Sequence, residues 1–225
     1  MLKELKNKKL WTLLFLVAYL IPFSASAHVN NPELEKLSRS GIFFVYLELG
    51  FTHILPLGFD HILFIISLFL LSPKLKTILW QATAFTIAHS ITLGLAMYGV
   101  VSAPSHIIEP IIALSIMFVA LENIITEQLK ATRIAIVFAF GLIHGLGFAG
   151  VLMDLGLPQK EFVNALISFN VGVELGQVTI ILLCWLAFGK WFSQKSWYRK
   201  AIVYPLSALI AIVALYWTIE RAFFN

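Results

Sequence analysis

The stretch "FTHILPLGFDHILFIISLFLL", residues 51–71, decides the fold. From Ile62 to Leu71 every residue but Ser67 is apolar. Such a run reads as hydrocarbon-facing or deeply buried helix rather than as a soluble surface. Yet Asp60 and His61 stand at its mouth, and His53 lies just upstream of Pro56. A carboxylate and two imidazoles at the entrance of an apolar segment call for a reason.

Composition sets the frame. The chain has 225 residues, 60% of them hydrophobic and 12% charged, with a mean hydropathy of +0.89. A soluble domain carries about twice that charged fraction. The expected class is an all-α integral membrane protein of one domain. The formal net charge of +4 is spread over short loops, with no basic stripe of the kind a phosphate backbone needs. Nucleic acid is therefore not an expected partner. Cys184 is the single cysteine, which excludes a disulfide framework and a thiolate metal cage.

Residues 1–27 read as a cleavable signal peptide. Lys3, Lys6, Lys8 and Lys9 form its positive region, Leu10 to Phe23 its apolar region, and Ala25-Ser26-Ala27 its cleavage site. Cleavage there makes His28 the mature amino terminus, whose amine and imidazole together could capture a metal ion. Residues 28–225 form the transmembrane domain. Six apolar segments lie near 53–72, 77–101, 106–125, 132–153, 162–188 and 201–222, each able to cross a hydrocarbon core of ~30 Å as a helix. The first is expected to break at Pro56 and Gly58, with 41–52 as a short entry helix. The short connections suggest that sequence neighbours pack as antiparallel neighbours.

Loop charge orients the bundle. Lys74, Lys76, Lys130, Arg133, Lys190, Lys195, Arg199 and Lys200 fall on one side, and Lys36, Arg39, Lys160 and Arg221 on the other. Eight against four makes the first side cytoplasmic. The expected location is a bacterial inner membrane, with the mature amino terminus in the periplasm, in agreement with a cleaved signal.

Asp60 and His61 have company. His89 lies midway along the second span, His144 along the fourth and Glu174 along the fifth. At about 1.5 Å per residue all three come near the bilayer centre. Ionisable groups at that depth face the bundle interior and mark a site. Thr86 and Thr92 flank His89 by three residues each way, about 60° to either side of it on the helix. Asn170, Glu174 and Gln177 share another helical face. Gly141 and Gly145 bracket His144, allowing a neighbouring helix close. Imidazole nitrogen with carboxylate oxygen suits Ni²⁺, Co²⁺, Zn²⁺ or Fe²⁺ better than Ca²⁺ or Mg²⁺. The candidate ligands are His53, Asp60, His61, His89, His144 and Glu174, supported by Thr86, Ser90, Thr92, Asn170 and Gln177. The competing reading is that these groups bond across helices and only specify packing. Glu109 and His106 are candidates for an entry vestibule, and Glu122 with Asn123 for an exit-side ligand or an interfacial pair. "GLGFAG", residues 145–150, matches a dinucleotide fingerprint in letters, but it lies inside a membrane helix with no preceding strand.

"GFDHILF", "TAFTIAHSITL", "FGLIHGLGFA" and "FNVGVELGQ", in that order, resemble the HupE/UreJ family of bacterial membrane proteins over about residues 51–188. The resemblance implies a permease for nickel or cobalt, or an accessory to hydrogenase and urease systems. The best-known branch has a first-span pattern like H-P-x-x-G-x-D-H. Here "HILPLGFDH" has one more residue and a shifted proline, which resembles a second branch. The family motif falls on His53, Asp60 and His61.

The leading expectation is a secondary permease for Ni²⁺ or Co²⁺ rather than an enzyme. No nucleotide-binding motif offers another source of drive. One alternative is an intramembrane zinc hydrolase, with three histidines on the metal and Glu174 as general base. Another is an accessory subunit without transport of its own. Expected partners are lipid, the metal ion, a metallochaperone or outer-membrane metal receptor, and further copies of the chain.

Overall fold

The structure is a computed structural model, which describes residues 34–224 apart from 128, 130, 131, 156 and 157. The signal peptide and His28 lie outside the described residues. Helices account for the architecture, and no strand occurs among the described residues. They are α1 (Arg39–Ile54), α2 (Phe59–Leu71), α3 (Leu75–Met97), α4 (Ser105–Ile125), α5 (Thr132–Leu155), α6 (Phe162–Cys184) and α7 (Tyr204–Phe223). A π turn, Trp185–Gly189, carries α6 on to Phe192, and another, Arg199–Val203, leads into α7.

Five helical runs are long and apolar enough to cross a membrane, and α1 with α2, bent by 66° at their junction, makes a sixth if the pair is counted as one span. The break follows from local chemistry. Pro56 has no amide hydrogen and disfavours a helical residue before it. Leu55 accordingly turns extended, at φ −133° and ψ 116°. Gly58 then folds back so closely that a Cβ there would strike the His53 carbonyl. Ser38 opens α1 by accepting a hydrogen bond from the Gly41 amide at 3.2 Å. The entry helix expected over 41–52 is thus a full helix of 16 residues.

Sequence neighbours do not pair as the short loops suggest. The most extensive packing joins α3 to α5, α1 to α6 and α4 to α7. Small residues choose these partners. A Cβ on Gly141 would meet the Phe85 carbonyl, and one on Gly145 the His89 carbonyl. Gly50 lies equally close to Phe169, and Gly172 to Leu47. Without side chains in the way, backbones approach and dispersion contacts multiply. The centre belongs to α2, whose Phe64, Ile65, Leu68, Phe69 and Leu70 are all buried. A helix that is apolar all round is a core helix. Outside, Ile87, Ile167, Leu183, Leu186, Leu209 and Ile212 are exposed, as lipid-facing positions should be.

Charged side chains mark the two ends. At one, Arg39 approaches Glu161 at 3.7 Å and Arg221 reaches Asp60 at 3.1 Å. At the other, Arg199 donates to the carbonyls of Asn123 and Thr126, near the last turn of α4. Arg133 departs from its expected place in a loop. It sits in the first turn of α5, 1% exposed, paired to Glu122 at 2.7 Å and bonded to Gln81. Glu122 is thus half of a buried ion pair. Its neighbour Asn123 ties α4 to Ser67 and Ser207.

Candidate metal centre

Four helices deliver four imidazoles to one place. His53 comes from the last turn of α1 and His61 from the first turn of α2, so the break itself brings them together, with ring centroids 4.8 Å apart. His89 arrives from the middle of α3, 6.1 Å from His61. His144 arrives from α5, 5.1 Å from His61. One ring nitrogen from each of His53, His61 and His89 lies within 4.8 Å of the others. Nitrogens that share one ion at bonds of ~2.0–2.1 Å stand about 3.4 Å apart, so closure by up to about 1.4 Å would complete a site.

Hydrogen bonds decide which nitrogens are free. The Ser115 hydroxyl donates to the Ile112 carbonyl at 2.7 Å, so it accepts from Nε2–H of His144 at 3.0 Å. That leaves the lone pair of His144 on Nδ1. The Asn170 amide nitrogen donates to the Leu166 carbonyl, so its oxygen faces His89 Nδ1 at 3.3 Å and accepts from it. That leaves the lone pair of His89 on Nε2. His53 Nε2, His61 Nδ1, His89 Nε2 and His144 Nδ1 are all buried without a hydrogen-bond partner. Each unpaired polar atom in an apolar interior costs ~1–3 kcal/mol. A cation accepting lone pairs from His53, His61 and His89 would offset that cost at those three histidines at once. The walls are aromatic: Phe85 stands edge-on to His144 at 4.9 Å, and Phe148 lies 3.9 Å from His53.

A cavity of about 560 Å³ leads to the cluster, lined in part by His53, His61 and His144. Asp60, Glu109 and Arg221 add charge to its wall. Arg221 donates to both carboxylate oxygens of Asp60 at 3.1 Å, so Asp60 stands beside the imidazoles as one half of an ion pair. Glu109 does line the vestibule, whereas His106 is not among its lining residues.

Glu174 does not join the imidazoles. It turns into a separate groove between α3 and α6, where Thr83 donates to one oxygen at 2.7 Å and Thr86 to the other at 2.5 Å. Thr86 therefore serves Glu174 rather than His89. Ser90 lines the same groove and bonds the Thr86 carbonyl at 2.6 Å. Thr92 bonds back to the Ala88 carbonyl, beside Gly145. Gln177 is fully buried with both amide atoms unpartnered. Of the candidate support residues, Asn170 is the one that bonds a clustered imidazole. Sequence reasoning missed Thr83 and Ser115. Thr83, Thr86 and Ser90 repeat at three and four residues, a period that marks one face of α3. Ser115 is a lone serine within an apolar span and carries no comparable signal.

A family model described as "HupE / UreJ protein" matches residues 30–221. No curated protein and no solved structure matches the chain.

Proposed function

The chain belongs to the HupE/UreJ family, and on that footing we propose that it is a secondary permease for divalent nickel or cobalt. The observation that carries the reading is the convergence of four buried, unpartnered imidazole nitrogens beside an open vestibule. In this proposal the vestibule faces the periplasm of a bacterial inner membrane, and Asp60 and Glu109 attract the cation. His53, His61 and His89 then replace part of its water shell, and His144 passes it inward. The membrane potential favours that movement by about 4.6 kcal/mol per 100 mV for two charges. A cytoplasmic metallochaperone would receive the ion.

The cluster donates nitrogen at every corner. Such a set selects nickel, cobalt or zinc over calcium or magnesium. A zinc hydrolase needs a general base at the metal as well. Glu174, the base the sequence offers, is held by Thr83 and Thr86 in another groove. Transport is therefore the better-supported reading.

The test is uptake of radiolabelled nickel or cobalt at sub-micromolar concentration, with expression matched between strains. Wild type should exceed empty vector, and His144→Ala should fall toward it. Equal uptake by all three would sink the permease.

A further inference from the structure

The groove that holds Glu174 is a built feature with no part in the imidazole cluster. It is a cavity of about 370 Å³ between α3 and α6, lined by Thr83, Thr86, Ser90, Asn170 and Glu174 among aliphatic side chains. Ile87, Ile167 and Val171 around it are exposed, so it opens sideways, toward lipid. A carboxylate in such a place normally meets a cationic side chain. The ion pairs among the described residues are Arg39–Glu161, Arg133–Glu122, Arg199–Glu127 and Arg221–Asp60. Glu174 is in none of them. Among the described residues its charge is met by two hydroxyl hydrogen bonds.

We propose that Glu174, Thr83, Thr86 and Ser90 form a second cation site, separate from the imidazoles, which holds sodium. The donor set is oxygen alone: two carboxylate oxygens and the hydroxyls of Thr83, Thr86 and Ser90. Hard oxygen donors without nitrogen or sulfur disfavour transition metals. Calcium and magnesium sites supply more negative charge or more retained water than one carboxylate in an apolar groove allows. Charge also selects valence. One carboxylate with one monovalent ion leaves the groove neutral, whereas a divalent ion would leave a net positive charge beside hydrocarbon. Thr83 and Thr86 keep free lone pairs while they donate to Glu174, and Ser90 keeps its own while it donates to the Thr86 carbonyl, so all three hydroxyls can turn lone pairs to the ion.

Two covalent links join this site to the cluster. Thr86 and His89 are one turn apart on α3, and Asn170 and Glu174 one turn apart on α6. Asn170 lines the groove and accepts from His89. Sodium bound across α3 and α6 would therefore hold His89 and Asn170 in register, and its release would loosen them. That makes sodium a candidate coupling ion. The coupling rests on the permease reading, while the site itself does not.

The experiment is equilibrium binding of radiolabelled sodium to the purified full-length protein in detergent, with choline as the balancing cation and no transition metal present. Wild type should bind one sodium per chain, saturably. Glu174→Gln and Thr86→Val should each weaken binding at least tenfold, and His61→Ala should leave it unchanged. Wild-type protein without saturable sodium binding overturns the site, whatever the variants do. So does equal binding by wild type and Glu174→Gln, or loss of binding in His61→Ala. Nickel uptake is read separately, so failure of the sodium site and failure of the permease give different results.

Discussion

Arg221 and Asp60, 161 positions apart in the chain, meet where the last helix returns to the first turn of α2, with one guanidinium nitrogen 3.1 Å from each carboxylate oxygen. The pair lines the vestibule and is part-exposed, 17% for Arg221 and 27% for Asp60. It sets the local charge at the entrance more than it stabilises the fold. Asp60→Ala leaves Arg221 unpaired and should lower nickel uptake by about tenfold at low ionic strength, with less effect as salt screens the field. Removing both, in Asp60→Ala/Arg221→Ala, should restore part of the loss. Uptake measured at two salt concentrations checks both statements. Glu127→Ala is the control, since Glu127 is 73% exposed and only 3.7 Å from Arg199.

Loss of a ligand or of its supporting partner typically weakens metal binding ~10–100-fold. Replacing His61 or His89 by alanine should do so in purified protein, read by metal titration. Asn170→Ala should fall in the same range although it donates nothing to the metal, because it frees the His89 ring to turn. Asn170→Asp keeps an acceptor facing His89 Nδ1 and should recover most of the affinity. Unchanged affinity in Asn170→Ala would remove Asn170 from the site.

The glycines of α5 offer a paired test of packing. Gly145→Ala places a Cβ against the His89 carbonyl and Thr92. Overpacking of that kind costs ~1–3 kcal/mol. It should also push α3 away and weaken metal binding. Gly150→Ala meets no atom within 4 Å and should be neutral or slightly stabilising. Thermal unfolding in detergent with and without nickel separates the two substitutions.

Arg133 and Glu122 make the other decisive pair, at the end away from the vestibule. Arg133 is 1% exposed and Glu122 16%, at 2.7 Å. Removing one partner of a buried pair costs ~3–5 kcal/mol, because the survivor stays charged and unpaired. Arg133→Ala should therefore express poorly or melt early. Arg133→Met with Glu122→Gln should regain much of the stability, as read by the melting temperature.

The imidazole cluster was readable in the sequence because histidines inside apolar runs are expensive and stand out against them. The break at Pro56 was readable because proline and glycine act locally. The helix partners were not, since loop length says nothing about which faces fit. Glu174 shows the difficulty in one residue. It is spaced correctly with Asn170 to share a face, and only about 40° separates the two. Gly172 and Gly176, however, turn toward α1, and Glu174 lies about 200° around the helix from Gly172 and about 160° from Gly176. The same glycines that pull α1 in, bringing His53 to the cluster, therefore aim Glu174 the other way. That information was in "VGVELGQ", residues 171–177, but it needed the identity of the partner helix to be used.

The bend between α1 and α2 has a mechanical meaning. His53 and His61 sit on opposite arms of a 66° elbow, and each has a buried nitrogen without a partner. An ion gripping both arms would act as a splint, adding to the backbone hydrogen bonds from Leu57 to Thr52 and from Gly58 to Ile54 that already tie the four linking residues to α1. Filling the site and stiffening the elbow are then one event. Because α1 lies along α6 through Gly50 and Gly172, that stiffness would pass from the elbow to the flank of the bundle, and an ion only a few ångströms wide would act as a lever on a helix of 16 residues.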